Sequence, residues 1–317
     1  MPTEPTLESL PNRGLRYLLA TRPGFLSVTL VAALIGLATA FASGITLNAA
    51  TAWATVVFAL VAHAGVNVMN DYYDALNGTD DLNTERIFPF TGGSRFIQNG
   101  VLGVRETFLY GSALLGLVAV GGIFLAWVSG PGLLIVGVLG LVIGWAYSAP
   151  PLMLNGRGLG EICVWGGFSL VAVGADFVQR GHFAAMPMNV TTSYALLVTN
   201  ILFINQFPDK NADEAAGKRT WVVRLGPVTA RWGYPLIAGL AYLWTVVAST
   251  RGVLPAASLI AILPALFSAR AAALVLRVAT RPRALAPAIQ LSITAALCHG
   301  LLLALALGAS KLLETVP

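Results

Sequence analysis

Apolar residues gather along this chain in nine long blocks, near 26–47, 51–70, 107–127, 132–149, 159–178, 191–207, 230–249, 253–276 and 286–310. Each is long enough, or nearly so, to cross a hydrocarbon core that takes about 20 helical residues. The fourth and sixth are the shortest. The pattern predicts an all-α, polytopic membrane protein of nine transmembrane helices. It forms one membrane-embedded domain over residues 1–317, with residues 1–24 as an N-terminal segment on the inner side. Polar residues fall between the blocks unequally. The stretches 48–50, 128–131 and 250–252 are tiny, whereas 71–106 and 208–229 are long, and long ordered loops more often carry function than merely connect.

Composition agrees with the pattern. The chain is 56% apolar and 10% charged, against about 25% charged in a soluble domain, and its mean hydropathy is +0.76. Charge placement tests the span count, because cytoplasmic loops collect Lys and Arg. With the N-terminus inside, all 19 basic residues fall on the inner side except Arg180, Arg251, Lys311 and Arg270. Arg270 lies within the eighth block, within snorkelling reach of the inner edge. The net charge of +5 is thus a topology signal and an attraction to anionic membrane lipid, with no nucleic-acid partner implied. Ala40-Phe-Ala42 resembles a signal cleavage site, but the apolar run before it exceeds the roughly 7–15 residues of a signal core. Cys163 and Cys298 both lie in apolar blocks, so no disulfide or cysteine metal site is expected.

The chemistry collects in two polar clusters on the inner side. The first is Asn67-Val-Met-Asn70-Asp71-Tyr-Tyr-Asp74, with Asp80 and Asp81 behind it. Asn67, Asp71 and Asp74 share one helix face, and His63 continues that face one turn deeper. The second runs Asn205-Gln-Phe-Pro-Asp209-Lys-Asn-Ala-Asp213, where Asn205, Asp209 and Asp213 share a face. Pro208 is expected to kink or end that helix. Gly217-Lys218-Arg219-Thr220 follows, in a loop able to fold back over phosphate. A single such cluster is as well explained by a solvated helix end. Two on one side, with intramembrane carboxylates, point to hard divalent cations holding a diphosphate at a membrane surface. The clusters close the second and sixth blocks, a spacing that hints at a duplicated four-helix unit.

Asn70-Asp71-x-x-Asp74…Asp80 and Asp209-x-x-x-Asp213 resemble the two signatures of the UbiA superfamily of intramembrane prenyltransferases, and the nine blocks agree with its helical bundle. Within it, Gly78-Thr79-Asp80, Arg157-Gly-Leu-Gly-Glu161, Gly217-Lys-Arg-Thr-x-Val-Val-Arg-Leu-Gly226 and Arg22-Pro23 look most like the menaquinone branch, which prenylates 1,4-dihydroxy-2-naphthoate. Pro208 stands where that branch usually carries Arg, and Leu154-Asn155 where a basic residue is common. Thr91-Gly-Gly-Ser94-Arg95 is expected to replace part of that positive charge.

The resemblance implies Mg²⁺ as cofactor, a prenyl diphosphate and an aromatic acceptor as substrates, and a bacterial or archaeal cell membrane with the site facing the cytoplasm. Asp71 and Asp74 would hold one Mg²⁺, Asp209 and Asp213 a second, with Asp80 completing the metal shells. Asn67, Asn70, Arg95, Asn205, Lys218 and Arg219 would serve the diphosphate. Tyr147, with Tyr72, would stabilise an allylic cation, and Arg22 or Arg157 would hold an acceptor carboxylate. Other acceptors, 4-hydroxybenzoate or homogentisate, remain open. So does a secondary transporter, whose carboxylates should however sit near the bilayer midplane. The sequence pattern of CDP-alcohol phosphotransferases is absent. His299 is expected to bond between helices, and Asp176 to cap a helix or face water near the outer edge.

Overall fold

The computed structural model describes residues 3–314 and contains helices and turns, with no strand among the described residues. A short amphipathic helix, α1 (Arg13–Ala20), precedes the bundle. The longer elements are α2 (Pro23–Ala42), α3 (Ala49–Leu76), α5 (Val104–Ser129), α6 (Leu133–Ser148), α7 (Gly160–Arg180), α8 (Met186–Ala215), α11 (Gly233–Thr250), α12 (Ala265–Val278) and α13 (Ala286–Glu314). Short helices α4 (Thr79–Leu82), α9 (Trp221–Leu225) and α10 (Pro227–Ala230) sit in the two long polar loops, and α9 and α10 lead into α11. Eight segments among the described residues are long and apolar enough to span a membrane, with α10 and α11 counted together and α12 and α13 each counted with the short 3₁₀ turn before it. The ninth expected block is α6, whose 16 residues reach only about 24 Å at 1.5 Å per residue.

The helices bearing the acidic clusters are longer than the apolar blocks suggest. α3 has 28 residues and α8 has 30, or about 42 and 45 Å against a core of about 30 Å. Their last turns therefore project beyond the apolar zone as helix, where the sequence pattern alone reads loop. Pro208 does not end α8, which continues seven residues to Ala215. It only deprives the Ile204 carbonyl, four residues earlier, of its intrahelical donor.

α8 is the most buried span. One half of it packs with α2, α11 and α13 through Ile35, Tyr194, Leu197, Ile201 and Leu303. The other half packs through Phe203, Ile204 and Phe207 against Tyr234, Val275 and Ile289. α5, by contrast, turns Val120, Ile123 and Trp127 outward, the arrangement of a helix that faces lipid. His299 is fully buried and joins three elements, its Nδ1 2.7 Å from the Ala261 carbonyl and its Nε2 3.0 Å from Ser193 Oγ. Asp176 neither caps a helix nor faces water. It is buried, ion-paired with Arg180 at 2.7 Å and hydrogen-bonded by Thr39 Oγ1 at 2.9 Å, because a carboxylate this close to lipid needs a resident partner. Arg270 is exposed on α12. Cys163 and Cys298 are free thiols.

Small residues let α2 and α7 touch backbone to backbone. A Cβ on Gly36 would stand 2.2 Å from the Ala172 carbonyl oxygen, an atom that cannot rotate away. Gly36→Ala should therefore destabilise the bundle by about 1–3 kcal/mol, the usual cost of overpacking. Gly116→Ala on α5, with nothing within 4 Å of the added carbon, should leave stability unchanged. Equal thermal midpoints in detergent for the two variants would contradict this account of the α2–α7 contact.

Candidate active site

The two acidic helix ends converge on one cavity of about 140 Å³. From α3 come Asn70 and Asp74. Asn205, Gln206, Asp209 and Asp213 come from α8, and Tyr147 from the end of α6. The two long loops add Asp80, Asn83 and Lys218, and Arg22 closes the cavity from the start of α2. Helical spacing sets this convergence, since residues four apart on α3 and on α8 stack along one face of each helix.

Cations already hold these carboxylates. Lys218 Nζ donates to Asp74 Oδ1 at 2.7 Å and lies 3.9 Å from Asp213 Oδ1, so one ammonium bridges α3 and α8. Arg22 pairs with Asp71, which also accepts from the Ser94 N–H at 3.3 Å. Asn70 Nδ2 donates to Asp74 Oδ2 at 3.1 Å and to Ser148 Oγ at 2.9 Å. Asn83 Nδ2 donates to Asp209 Oδ1 at 2.6 Å. Burial opposes the charge on both Lys218 and Arg22, but the neighbouring carboxylates outweigh it and hold both more basic than usual. Burial first, then the charges of Asp74 and Asp71, pushes the Asp80 carboxyl up to about 8.

The donor set suits a hard divalent cation. Asp80 Oδ2, Asn83 Oδ1 and Asn205 Oδ1 are buried oxygens without a hydrogen-bond partner, and oxygen ligands select Mg²⁺ or Mn²⁺ over softer ions. Gly93 makes room for them: it adopts φ 73°, and a Cβ there would lie 2.3 Å from Asp80 Oδ2. Among the described residues no group of three carboxylates, histidines or cysteines is already gathered around one point. In this state the carboxylates are spread over their ion pairs.

Not every expected residue lines the cavity. Asp71, expected to hold metal, does not, and pairs instead with Arg22, which does. Asn67 donates to the Thr21 carbonyl at 3.0 Å and anchors the turn before α2. Arg95 donates to the Asp80 carbonyl and so holds the loop rather than lining the cavity. Arg157 is exposed and donates to the Pro151 carbonyl at 2.7 Å. Arg219 is exposed too, bonded through its backbone to Gly156. Tyr72 packs against Tyr73 and Phe108, away from the cavity. Conversely, sequence reasoning passed over Asn83, Gln206, Phe90 and Leu202, all of which line it. Gln206 adjoins Asn205 and was open to notice. Asn83 reads as an ordinary turn residue, and nothing in the pattern marks it.

The chain matches the UbiA prenyltransferase family over residues 29–294. Among curated proteins it is similar to the 1,4-dihydroxy-2-naphthoate octaprenyltransferase of Mycobacterium tuberculosis, with 30% identity over 63% of this chain and 68% of that one. The Escherichia coli protein of the same name is 30% identical over 68% of this chain and 70% of its own. Among solved structures, a UbiA homologue from Archaeoglobus fulgidus bound to GPP and Mg²⁺ superposes with a TM-score of 0.58 at 18% identity. That match covers 91% of this chain and 99% of the other.

The raised Asp80 group generates a pH dependence with a definite sign. A carboxyl at about 8 is mostly protonated at neutral pH and must lose its proton to bind a cation. Apparent Mn²⁺ affinity, measured by calorimetry on the purified protein, should rise by up to about tenfold per pH unit below 8 and level off above it. Asp80→Asn should flatten the curve. Equal affinity at pH 6.5 and 8.5 in the wild-type protein would exclude Asp80 from the cation site.

Proposed function

The chain belongs to the UbiA prenyltransferase family, and from that premise we propose that it transfers a polyprenyl group from a prenyl diphosphate to 1,4-dihydroxy-2-naphthoate, with Mg²⁺ as cofactor. The observation that carries this reading is the meeting of the α3 and α8 acids at one cavity: Asp74, Asp209 and Asp213 line it, Lys218 bridges Asp74 and Asp213, and Asp71 pairs with Arg22, which lines it too. Arg22 and Lys218 pair with three of the five carboxyls, Asp71, Asp74 and Asp213, so acidic groups at this site outnumber the cations that touch them, an excess that favours divalent cations and, through them, a diphosphate. The Archaeoglobus homologue bound to GPP and Mg²⁺ supports the donor and the metal. The naphthoate-prenylating relatives support the acceptor. Loop charge supports a cytoplasmic site, and the carboxylates' place at the helix ends argues against a transporter's midplane site.

Asp71, Asp74, Asp80, Asp209 and Asp213 would hold the metal, which when bound neutralises the diphosphate and eases its departure. Lys218, released from its carboxylates, turns to the diphosphate oxygens, which present the same kind of acceptor. The allylic C–O bond breaks with its electron pair going to the diphosphate, a ring carbon of the acceptor forms the new C–C bond, and the ring then gives up its proton to an oxygen of the departing diphosphate. Tyr147 lines the cavity, and its ring face offers the allylic cation quadrupolar stabilisation. Asn70 and Asn83 hold Asp74 and Asp209 in orientation. Arg22 is the arginine within reach of an acceptor carboxylate, since Arg157 is engaged outside the cavity.

Purified protein incubated with Mg²⁺, a prenyl diphosphate and a panel of aromatic acceptors, followed by mass spectrometry, tests the reaction. Asp71→Ala and Asp209→Ala should each lower turnover by at least about a hundredfold, because several kcal/mol of charge neutralisation is lost, and chelation with EDTA should do the same. Normal turnover in either variant, or in metal-free buffer, would remove the two-cluster mechanism.

The acceptor is tested separately. The naphthoate should be prenylated faster than 4-hydroxybenzoate, and Arg157→Ala should leave its KM within about twofold while Arg22→Ala raises it, as when a binding contact to that substrate is lost. A preference for 4-hydroxybenzoate or homogentisate would overturn the acceptor and leave the prenyl transfer standing.

A further inference from the structure

The segment ahead of α1 is bonded into the first inner loop at both ends of its length. Leu10 is buried against Ala20, Phe96, Val101 and Leu102, and Asn99 Nδ2 donates to the Pro5 carbonyl at 2.9 Å. Just ahead of both, Glu4 meets three partners. Its Oε1 accepts from Arg86 Nε at 2.7 Å and lies 2.6 Å from Arg86 Nη2. Its Oε2 accepts from Asn99 at 3.3 Å and lies 3.8 Å from Arg95 Nε, a buried donor with no hydrogen-bond partner of its own.

The free arms of the same two arginines reach the cavity wall. Arg86 Nη1 donates to the Asn83 carbonyl and Arg95 Nη1 to the Asp80 carbonyl. Asp80 and Asn83 both line the cavity, and Asn83 passes the connection on to Asp209. Two guanidiniums so close repel each other, and burial followed by the charge of Arg86 makes Arg95 easier to deprotonate. Glu4 is the anion between them. Burial works against its charge, but hydrogen bonds from Arg86 and Asn99 prevail and hold its carboxyl below the usual range. Arg95 also sits at φ 68°, a conformation that a non-glycine residue keeps only when its surroundings hold it.

We infer that residues 3–10 form a strap over the first inner loop, in which Glu4 is a positioning residue that fixes Asp80 and Asn83 at the diphosphate end of the cavity. Without the Glu4 charge the arginines separate, their grip on the two carbonyls loosens, and the loop carrying Gly93, Ser94 and Arg95 moves with them. The acceptor side, built from α6 and α7, has no bond to the strap among these contacts. The kinetic consequence rests on the prenyl-diphosphate reading of the cavity; the structural consequence does not.

Two measurements on the full-length protein in detergent separate these consequences. In Glu4→Gln, amide hydrogen exchange over residues 80–99 should accelerate about fivefold, the size expected from losing a half-buried ion pair, while the buried parts of α3 and α8 stay protected. The KM for prenyl diphosphate should rise by a similar factor with the acceptor KM unchanged, and Glu4→Asp should restore most of the loss. Unchanged exchange over 80–99 overturns the strap, and so does a normal prenyl-diphosphate KM in an active Glu4→Gln protein. Faster exchange in a protein that transfers no prenyl group to any acceptor upholds the strap and sinks the proposed function instead.

Discussion

The Lys218 ammonium between Asp74 and Asp213 is the contact on which the arrangement of this molecule turns. Both carboxylates are buried or nearly so, and they belong to helices more than a hundred residues apart in sequence. Left unpaired, such charges would hold α3 and α8 apart; paired with one buried cation, they draw the two helix ends into a common site. Removing one partner of a buried pair of this kind costs about 3–5 kcal/mol, because the other charge is left stranded. The backbone around Lys218 is built to deliver it. Its N–H bonds to the Asp213 carbonyl at 2.8 Å, the next N–H bonds to Gly156 at 2.6 Å, and its side chain lies over Gly156, where a Cβ would come within 3.2 Å.

That cation also explains why the carboxylates are not gathered around a single point. In a water-poor site a carboxylate takes whatever positive charge is at hand, and here Arg22 and Lys218 have claimed Asp71 and Asp74. Their ion pairs offset the charges of Asp71, Asp74 and Asp213 where the two helix ends meet. The leftover oxygens, on Asp80, Asn83 and Asn205, are the ones that protein donors leave unsatisfied. Unsatisfied buried oxygens are costly to maintain, and their concentration at one cavity marks it as a place for a ligand more clearly than shape does.

The sequence displayed the bundle because membrane spans are written in runs of apolar residues, a signal that tertiary context does not erase. The boundaries were less legible. α3 and α8 pass beyond the apolar zone as helix because a helix satisfies its own backbone whether or not its side chains are apolar, so polarity marks the membrane edge rather than the helix end. For the same reason Pro208 could be kept within α8 at the loss of a single bond. In the site, the paired aspartates were legible from spacing alone. What spacing could not give was the assignment of cations: Lys218, Arg22, Arg95, Arg157 and Arg219 all read as phosphate or carboxylate partners, and only folding separates the two that line the cavity from the three that do not.

The two departures from the menaquinone pattern, at Pro208 and at Asn155, separate in the same way. Pro208 is buried inside α8 and does not line the cavity, whereas Asn155 does, on the turn that leads into α7 at Gly160 beside Tyr147. On the proposed reading the diphosphate would lie against α3, α8 and the two long loops. The opposite wall comes from this α6–α7 turn together with Leu202. A change at Pro208 can therefore act only through the path of α8, while a change at Asn155 alters a surface that a substrate can touch. Of the two, Asn155 is the position at which acceptor choice can diverge from the branch the rest of the chain resembles, and the neutral amide there leaves Arg22 as the cation on the cavity wall outside the Lys218 bridge.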